Sequence, residues 1–456
     1  MGRGQKVRED GAGDLEQEAA RKIVRVIQTW RDGHKIPIAQ KRWLFELIQN
    51  ALDVSREQNK EKLNLEILSD SEKIVIKHNA GYFSPKEYRA LIEAYSTKPF
   101  ERDSDFAGRF ATGFLITHIV DKVVDIRGIL KEDGNLLQFS TEIDRESEDV
   151  DKILQNFDRA FNALDDAILI NSPLQDYWTE YTYHTRDDLA KNAVEIGIRE
   201  LTRSIPFLLV FNKIERITIN GEGYCASEAE DKSDGIFIRS VKANRVWFTR
   251  QDMGDVGLVV DSQTNQIESL SDSPRIYVHG LPLIESGTYL RIPFVMDSQL
   301  FETTQERDVL TSTKRNKDIL EKAFSSYYKL AEFISQPTEQ CQSLFLLSDF
   351  HPIKENENFK SELLDYSNSL INNSLNAVIG NMALVDTVGQ GRVTVAKALF
   401  PTKTVKDKKL ADEDFDKLYS ILCTIKKEIP AKPDLESWIV LSGSLKEEFA
   451  DIGVNP

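Results

Sequence analysis

Glu46, Asn50 and Asp53 stand at i, i+4 and i+7 in the stretch WLFELIQNALDVSR, residues 43–56. On an α-helix that spacing gathers them on one ridge, because residues three and four apart share a face. A carboxylate, a carboxamide and a second carboxylate in a row can hold a metal-bound phosphate with a water beside it. A magnesium ion takes hard oxygen ligands, which the Asn50 side chain supplies. Glu46, one turn earlier, is placed to orient that water as a general base. On an isolated helix the same ridge is an ordinary solvated face, so the rest of the chain has to decide. Leu44, Leu47, Ile48, Ala51 and Leu52 form the second stripe of the helix and send it into a core.

Three further stretches carry candidate chemistry. HNAGYFSPKEY, residues 78–88, is a small polar turn after a buried strand. His78, Asn79 and Gly81 there let backbone approach a flat base, although a plain β-to-helix connection reads the same way. Gly108, Arg109, Phe110, Ala111, Thr112, Gly113 and Phe114 precede an apolar segment. Glycines before a helix let backbone N–H groups wrap phosphate oxygens at the positive end of the helix dipole. A single Gly-x-x-x-x-Gly is weak on its own, and no Gly-Lys-Ser/Thr follows to make a P-loop. Thr179 lies on the alternating run WTEYTYHT, where its hydroxyl can meet a base edge or simply pair across a sheet.

The elements that must position these residues follow from periodicity. Residues 15–32 read as a helix with Ile23, Val26, Ile27 and Trp30 on one face. Residues 63–68 and 73–77 alternate as two strands, and Ser84-Pro85 opens a helix over 85–95. The stretch 108–128 reads as loop, helix and β-branched strand; 146–168 reads as one amphipathic helix; 188–203 is helical, followed by the apolar run IPFLLVF. From residue 213 to 300 short β-like runs dominate, then helix resumes over 314–335. These patterns predict a disordered N-terminus over 1–14, a first domain over 15–205, a second over 206–335 and a mixed, helix-rich region over 336–456.

Composition narrows the classes. A net charge of −16 opposes nonspecific nucleic-acid binding, since a phosphate backbone would be repelled without a local basic patch. Cys225, Cys341 and Cys423 are far apart and odd in number, which fits a reducing cytoplasm better than a disulfide framework. No apolar run is long enough to span a bilayer, and the N-terminal residues lack the apolar core of a signal peptide.

The order of the pieces resembles the GHKL, or Bergerat-fold, ATPases. ELIQNALD resembles the ELISNASDA segment of the ninety-kilodalton heat-shock chaperones, GRFATGFLITHIVDKVVDI their GQFGVGFYSAYLVADKVTV, and TEYTYHT their strand TRITLHL. Ser96, Thr97 and Lys98 sit where that family has its Ser-x-x-Lys lid entrance. FVMDSQLFETTQERDVL, residues 294–310, is similar to the chaperones' middle-domain loop, with Arg307 on the Arg that reaches the γ-phosphate. The short lid and the HN-type turn are most like the sacsin-type modules, including many bacterial proteins.

The resemblance implies an α+β fold: a two-layer Bergerat ATPase domain, with a mixed sheet covered by helices, then an α/β middle domain and a helix-rich tail. It implies ATP and Mg2+ as cofactors, with Glu46 as base, Asn50 as metal ligand and Lys98 and Arg307 as charge stabilisers. Asp53, the 108–114 loop, the 78–81 turn and Thr179 would complete the nucleotide site. It also implies an ATP-gated conformational switch with an unidentified protein partner or client, nucleotide-dependent homodimerisation, and a place in bacterial stress or antiphage defence. The competing class is a non-catalytic Bergerat module that binds nucleotide only structurally.

The chain departs from the family at two places. The family reads adenine through an Asp in a D-x-G-x-G turn, whereas this chain has His78-Asn79-Ala80-Gly81. Adenine's exocyclic amine needs an acceptor, which the Asn79 carbonyl offers more readily than neutral His78, with its one free ring nitrogen. The second glycine of the phosphate loop is Ala111.

Overall fold

A computed structural model describes residues 2–8, 14–60, 62–95, 113–173, 178–251, 253–271, 273–304, 309–354, 361–389, 391–405 and 408–449. The chain forms two compact units, one of residues 1–226 with 279–284, the other of 227–278 with 285–456. Both mix helices with sheets, so the class is α+β.

The first unit is an eight-stranded mixed sheet with helices against it. Its helices are α1 (Arg3–Arg8), α2 (Asp14–Trp30), α3 (Ile36–Glu57), α4 (Pro85–Glu93), α5 (Gly113–Ile116), α6 (Val150–Asn162) and α7 (Asp188–Phe211). Its strands are β1 (Leu63–Ser69), β2 (Lys73–His78), β3 (Val123–Glu132), β4 (Asn135–Asp144), β5 (Ile168–Ile170), β6 (Thr179–His184), β7 (Ile214–Ile219) and β8 (Glu222–Tyr224). They lie in the order β5-β4-β3-β6-β2-β1-β7-β8. The β1–β7 pair is parallel, and the remaining pairs are antiparallel.

α3 is central to this unit. Pro37 sits in its first turn, where a missing N–H costs nothing. Trp43, Leu44, Leu47, Ile48, Ala51 and Leu52 are buried. Trp43 Nε1 donates to the Ala193 carbonyl at 2.8 Å and meets Tyr183 edge-on, with ring centroids 6.0 Å apart. α7 passes at Gly197, where an added Cβ would come within 2.5 Å of the Trp43 indole nitrogen.

Several sequence expectations are corrected here. Residues 3–8 are helical rather than disordered: Gly4 lies against the Phe161 carbonyl, and Arg8 binds Glu16 at 2.8 Å and also pairs with Asp158. The expected 146–168 helix is shorter, because Asp149 caps it and a 3₁₀ turn at Ala163–Asp166 hands the chain to β5. The boundary expected at 205 falls inside α7, which runs through Pro206 to Phe211. Burial of Ile205, Phe207, Leu208, Leu209 and Val210 outweighs an interior proline's cost of about 3 kcal/mol. β7 then joins the first unit by pairing with β1.

The second unit carries β9 (Glu230–Ser233), β10 (Ile236–Val241), β11 (Asn244–Thr249), β12 (Asp255–Asp261) and β13 (Ile276–Val278). The short β14 (Leu281–Pro282) belongs to the first unit. After it come α8 (Ser286–Tyr289), β15 (Val295–Ser298) and α9 (Lys314–Ile334). The order is β13-β15-β12-β11-β10-β9. α9 packs on this sheet through Trp247 against Phe333 and Phe294 stacked 4.3 Å from Tyr327. α10 (Ser361–Asn381), the hairpin β16 (Ala383–Thr387) and β17 (Gly391–Thr394), α11 (Asp412–Ile425) and α12 (Leu435–Glu448) complete it. The regions expected separately as 206–335 and 336–456 therefore share this unit from residue 285 onward. Among the described residues no helix is long and apolar enough to cross a membrane.

Candidate functional site

The ridge of α3 is structured at all three positions. Glu46 is buried, and its Oε1 accepts from Arg42 Nε at 2.7 Å. Its Oε2 faces Gly113: a Cβ on that glycine would collide with this oxygen. One carboxylate oxygen is thus held by an arginine one turn back, while the other points at the backbone that begins α5. Asn50 is half-buried, and its carboxamide makes no hydrogen bond to a described residue. Asp53 is fully buried and ion-paired to Arg56 at 3.4 Å. Arg56 also donates to Asn212 Oδ1 at 3.2 Å and to the His279 carbonyl at 3.1 Å, so Asp53 helps anchor the end of α3.

The sheet supplies the other wall. In the β2–β6 register His78 faces Thr179, Ile76 faces Tyr181 and Ile74 faces Tyr183. Tyr183 donates to Thr117 Oγ1 at 2.9 Å and touches Trp43, so this face of the sheet is the one turned to α3. Alternation along strands puts His78 and Thr179 on that same face. The Thr179 hydroxyl is buried without a hydrogen-bond partner among the described residues. A buried, unpaired polar group costs about 1–3 kcal/mol, so a position of this kind fits a bound polar ligand.

The turn after β2 is tied to β1. Asn79, expected to offer its carbonyl to adenine, accepts the Asn64 backbone N–H at 2.8 Å on one lone pair of Oδ1. The donor there is a backbone amide, so the atom it meets is the oxygen. His78 Nδ1 accepts the Ala80 N–H at 3.3 Å. Burial, with a smaller push from Lys60, brings the His78 pKa down to about 3, so the ring is neutral and carries its proton on Nε2. Gly81 is approached by the Gln58 side chain, which would collide with a Cβ there. That Gln58 brackets Tyr82, accepting from its N–H at 3.0 Å and donating to its carbonyl at 2.7 Å. Tyr82 stacks on Trp178 at 4.9 Å and 3°, and Lys60 Nζ lies 3.4 Å from the Trp178 ring centre.

Behind Gly113 is a polar core that no sequence pattern announced. Arg145 is buried, donates to the Leu91 and Ile92 carbonyls at 2.7 and 3.0 Å, and meets His118 Nε2 at 2.8 Å. A guanidinium has only donors, so His118 Nε2 accepts and its Nδ1–H donates to the Asp121 carbonyl at 2.9 Å. Burial, reinforced by the Arg145 charge, holds the His118 pKa well below the usual range, and burial brings Arg145 down to about 9. The Arg145 guanidinium also lies 5.5 Å over Phe114, whose ring contacts Tyr181 and His118. Arg145 therefore ties the last turn of α4 to the start of α5.

The remaining expected site residues fall elsewhere. Ser96, Thr97, Lys98, Gly108, Arg109, Phe110, Ala111, Thr112 and Arg307 lie outside the described residues. On either side of Arg307 the chain closes on itself: Thr303 pairs with Leu310, and Thr311 N donates to the Glu302 carbonyl at 2.9 Å. Asn316, fully buried near the start of α9, clamps that closure by donating to the carbonyls of Glu302 and Thr311 at 2.6 and 2.8 Å. Arg42 is the one missed residue with a readable signal, its i,i+4 spacing to Glu46. Arg145 and His118 act across distant parts of the sequence, and Asn316 closes a nearby loop through Glu302 and Thr311.

The donor set fits a magnesium nucleotide. Among the described residues no group of three His, Cys, Asp or Glu side chains could hold a metal by itself. Magnesium commonly takes one or two protein oxygens and completes its shell from phosphates and water, which a single half-buried carboxamide such as Asn50 can serve.

No protein-family model matches this sequence, and no curated protein matches it. Among solved structures, the chain is similar to the ATPase and transducer domains of DNA topoisomerase II from Balamuthia mandrillaris, with 12% identity, 74% of this chain and 84% of that chain covered, and a TM-score of 0.34. It is also similar to the ATPase region of Saccharomyces cerevisiae topoisomerase II, with 10% identity, 53% and 61% covered, and a TM-score of 0.32. What the fold and the site define is an α+β unit whose central helix presents an oriented carboxylate and a half-buried carboxamide beside a glycine-started helix.

Proposed function

We propose that the chain is a magnesium-dependent ATPase of the GHKL type, acting as an ATP-gated conformational switch. The observation that carries this reading is the Glu46 carboxylate, pinned by Arg42 on one oxygen and turned by the other toward Gly113. Asn50, one turn on, holds the metal. Bound magnesium would neutralise phosphate charge and draw electrons from the phosphorus. Glu46 orients the attacking water and takes its proton, an in-line geometry in which positioning does most of the catalysis. Thr179 and the 78–81 turn meet the base. The chaperone-type switch, the γ-phosphate role of Arg307, dimerisation on nucleotide and a part in stress or antiphage defence rest on the sequence resemblance.

The test is phosphate release alongside calorimetric binding of magnesium-ATP. Glu46→Gln drops release to background and keeps binding; Asn50→Ala loses both. Gly113→Ala cuts turnover at least tenfold with little change in melting temperature, because the colliding atom is the end of a side chain that can swing away. Full turnover in Glu46→Gln removes the base assignment. Binding without release in the wild-type chain favours the non-catalytic module.

A further inference from the structure

The base end of the site is chemically unlike one that selects adenine. Three groups of the 78–81 turn and its neighbouring strand could meet the six-position edge of a purine. The Asn79 carbonyl already accepts the Asn64 N–H, which ties the oxygen to β1 and takes one of its two lone pairs. The His78 ring accepts from Ala80 through Nδ1, which leaves Nε2–H as a donor. Directly across the β2–β6 ladder, on the same sheet face, the buried Thr179 hydroxyl has no partner among the described residues and can donate or accept by rotating. The edge therefore offers one fixed donor, one adaptable hydroxyl, no carboxylate, and a carbonyl already engaged by a backbone amide.

Adenine presents an amine at position 6 and a bare nitrogen at position 1. Guanine and hypoxanthine present a carbonyl at position 6 and an N–H at position 1. A carboxylate at the turn attracts the amine and repels the carbonyl. A ring N–H does the reverse: it satisfies O6 and clashes, donor against donor, with the amine. The Thr179 hydroxyl serves position 1 of either purine, since it can accept from N1–H or donate to N1. Sites built around a buried hydrogen-bonding group discriminate strongly against the ligand that leaves it unpaired.

We infer that this nucleotide site accepts 6-oxopurine triphosphates at least as well as ATP, with the His78 Nε2–H and the Thr179 hydroxyl reading the six-position edge. The inference rests on the nucleotide reading of the α3 site and adds the class of base. His78 would then be the residue that sets base choice, and Lys60 helps keep it neutral.

The experiment is calorimetric titration of the full chain with the magnesium salts of ATP, GTP and ITP. ITP has the 6-carbonyl without guanine's 2-amino group, so it isolates position 6. The expected result is ITP and GTP binding at least as tightly as ATP. His78→Asp, which restores an acceptor, raises the ATP-over-ITP affinity ratio at least tenfold, while Thr179→Val weakens both purines together. A wild-type preference for ATP over ITP of tenfold or more overturns the base inference and leaves the nucleotide site standing. Failure of every triphosphate to bind overturns both.

Discussion

In the first unit His78 and His118 are buried with no acidic side chain bonded to either ring among the described residues; in the second, His351 is held between two. His118 meets a guanidinium and a backbone carbonyl, and His78 meets a backbone amide. His351 has Glu448 Oε2 at 2.7 Å from Nδ1 and Asp349 Oδ1 at 3.1 Å from Nε2. The first arrangement keeps imidazole neutral through desolvation. The second raises the His351 pKa, with the Asp349 bond the largest cause, and favours a charged ring that staples α12 to the segment before α10. The contrast teaches what burial is for in each place. A paired charge joins elements. A neutral buried ring serves two ends: His118 uses both nitrogens to join Arg145 to the Asp121 carbonyl, while His78, accepting through Nδ1, keeps an Nε2–H.

The largest expected effect separates the two arrangements at Arg145. Arg145→Met orphans two carbonyls and the His118 lone pair, and should destabilise the first unit by about 3 kcal/mol. Chemical denaturation followed by hydrogen exchange locates the loss; an unchanged first unit would mean the network is dispensable. The next effect is in pH. His78 and His118 have folded pKa values below the unfolded value of about 6.5. Their contribution is present above pH 6.5 and is lost as pH falls toward the folded values, near 3 for His78. Acid titration should therefore loosen the first unit, and His118→Gln should flatten that dependence.

The smallest effect has the opposite sign. His351 has a raised folded pKa, so its stabilisation is complete below about pH 6.5 and disappears as pH rises through the folded value. His351→Gln should cost on the order of 1 kcal/mol at pH 6 and nothing measurable at pH 9. If the same substitution costs as much at pH 9, the ring is acting as a neutral spacer and the comparison between the units fails.

Local chemistry made α3 and its ridge legible in the sequence. The i, i+4 and i+7 spacing, the apolar stripe and the strand alternation at β2 and β6 are each short-range patterns, and the helix and strands stand where those patterns put them. Partners fixed by folding were not legible. Asn79 offers a carbonyl in the sequence; only the pairing of β1 with β2 brings the Asn64 amide to it. Nothing in the sequence around Arg145 marks it for burial; the sheet and α4 together enclose it. The domain boundary failed for a related reason: IPFLLVF carries a proline, a helix breaker by local rule, yet the first unit's core takes its apolar residues and keeps the helix whole.

The stack beside Thr179 has an optical consequence. Of the five tryptophans, Trp30, Trp43, Trp247 and Trp438 are buried, while Trp178 is half-exposed. An ammonium 3.4 Å from its ring centre and a parallel tyrosine at 4.9 Å set the polarity around its excited state. The chain thus carries its own fluorophore one residue from the candidate base contact, and its emission colour offers a label-free signal for occupancy of that end of the site.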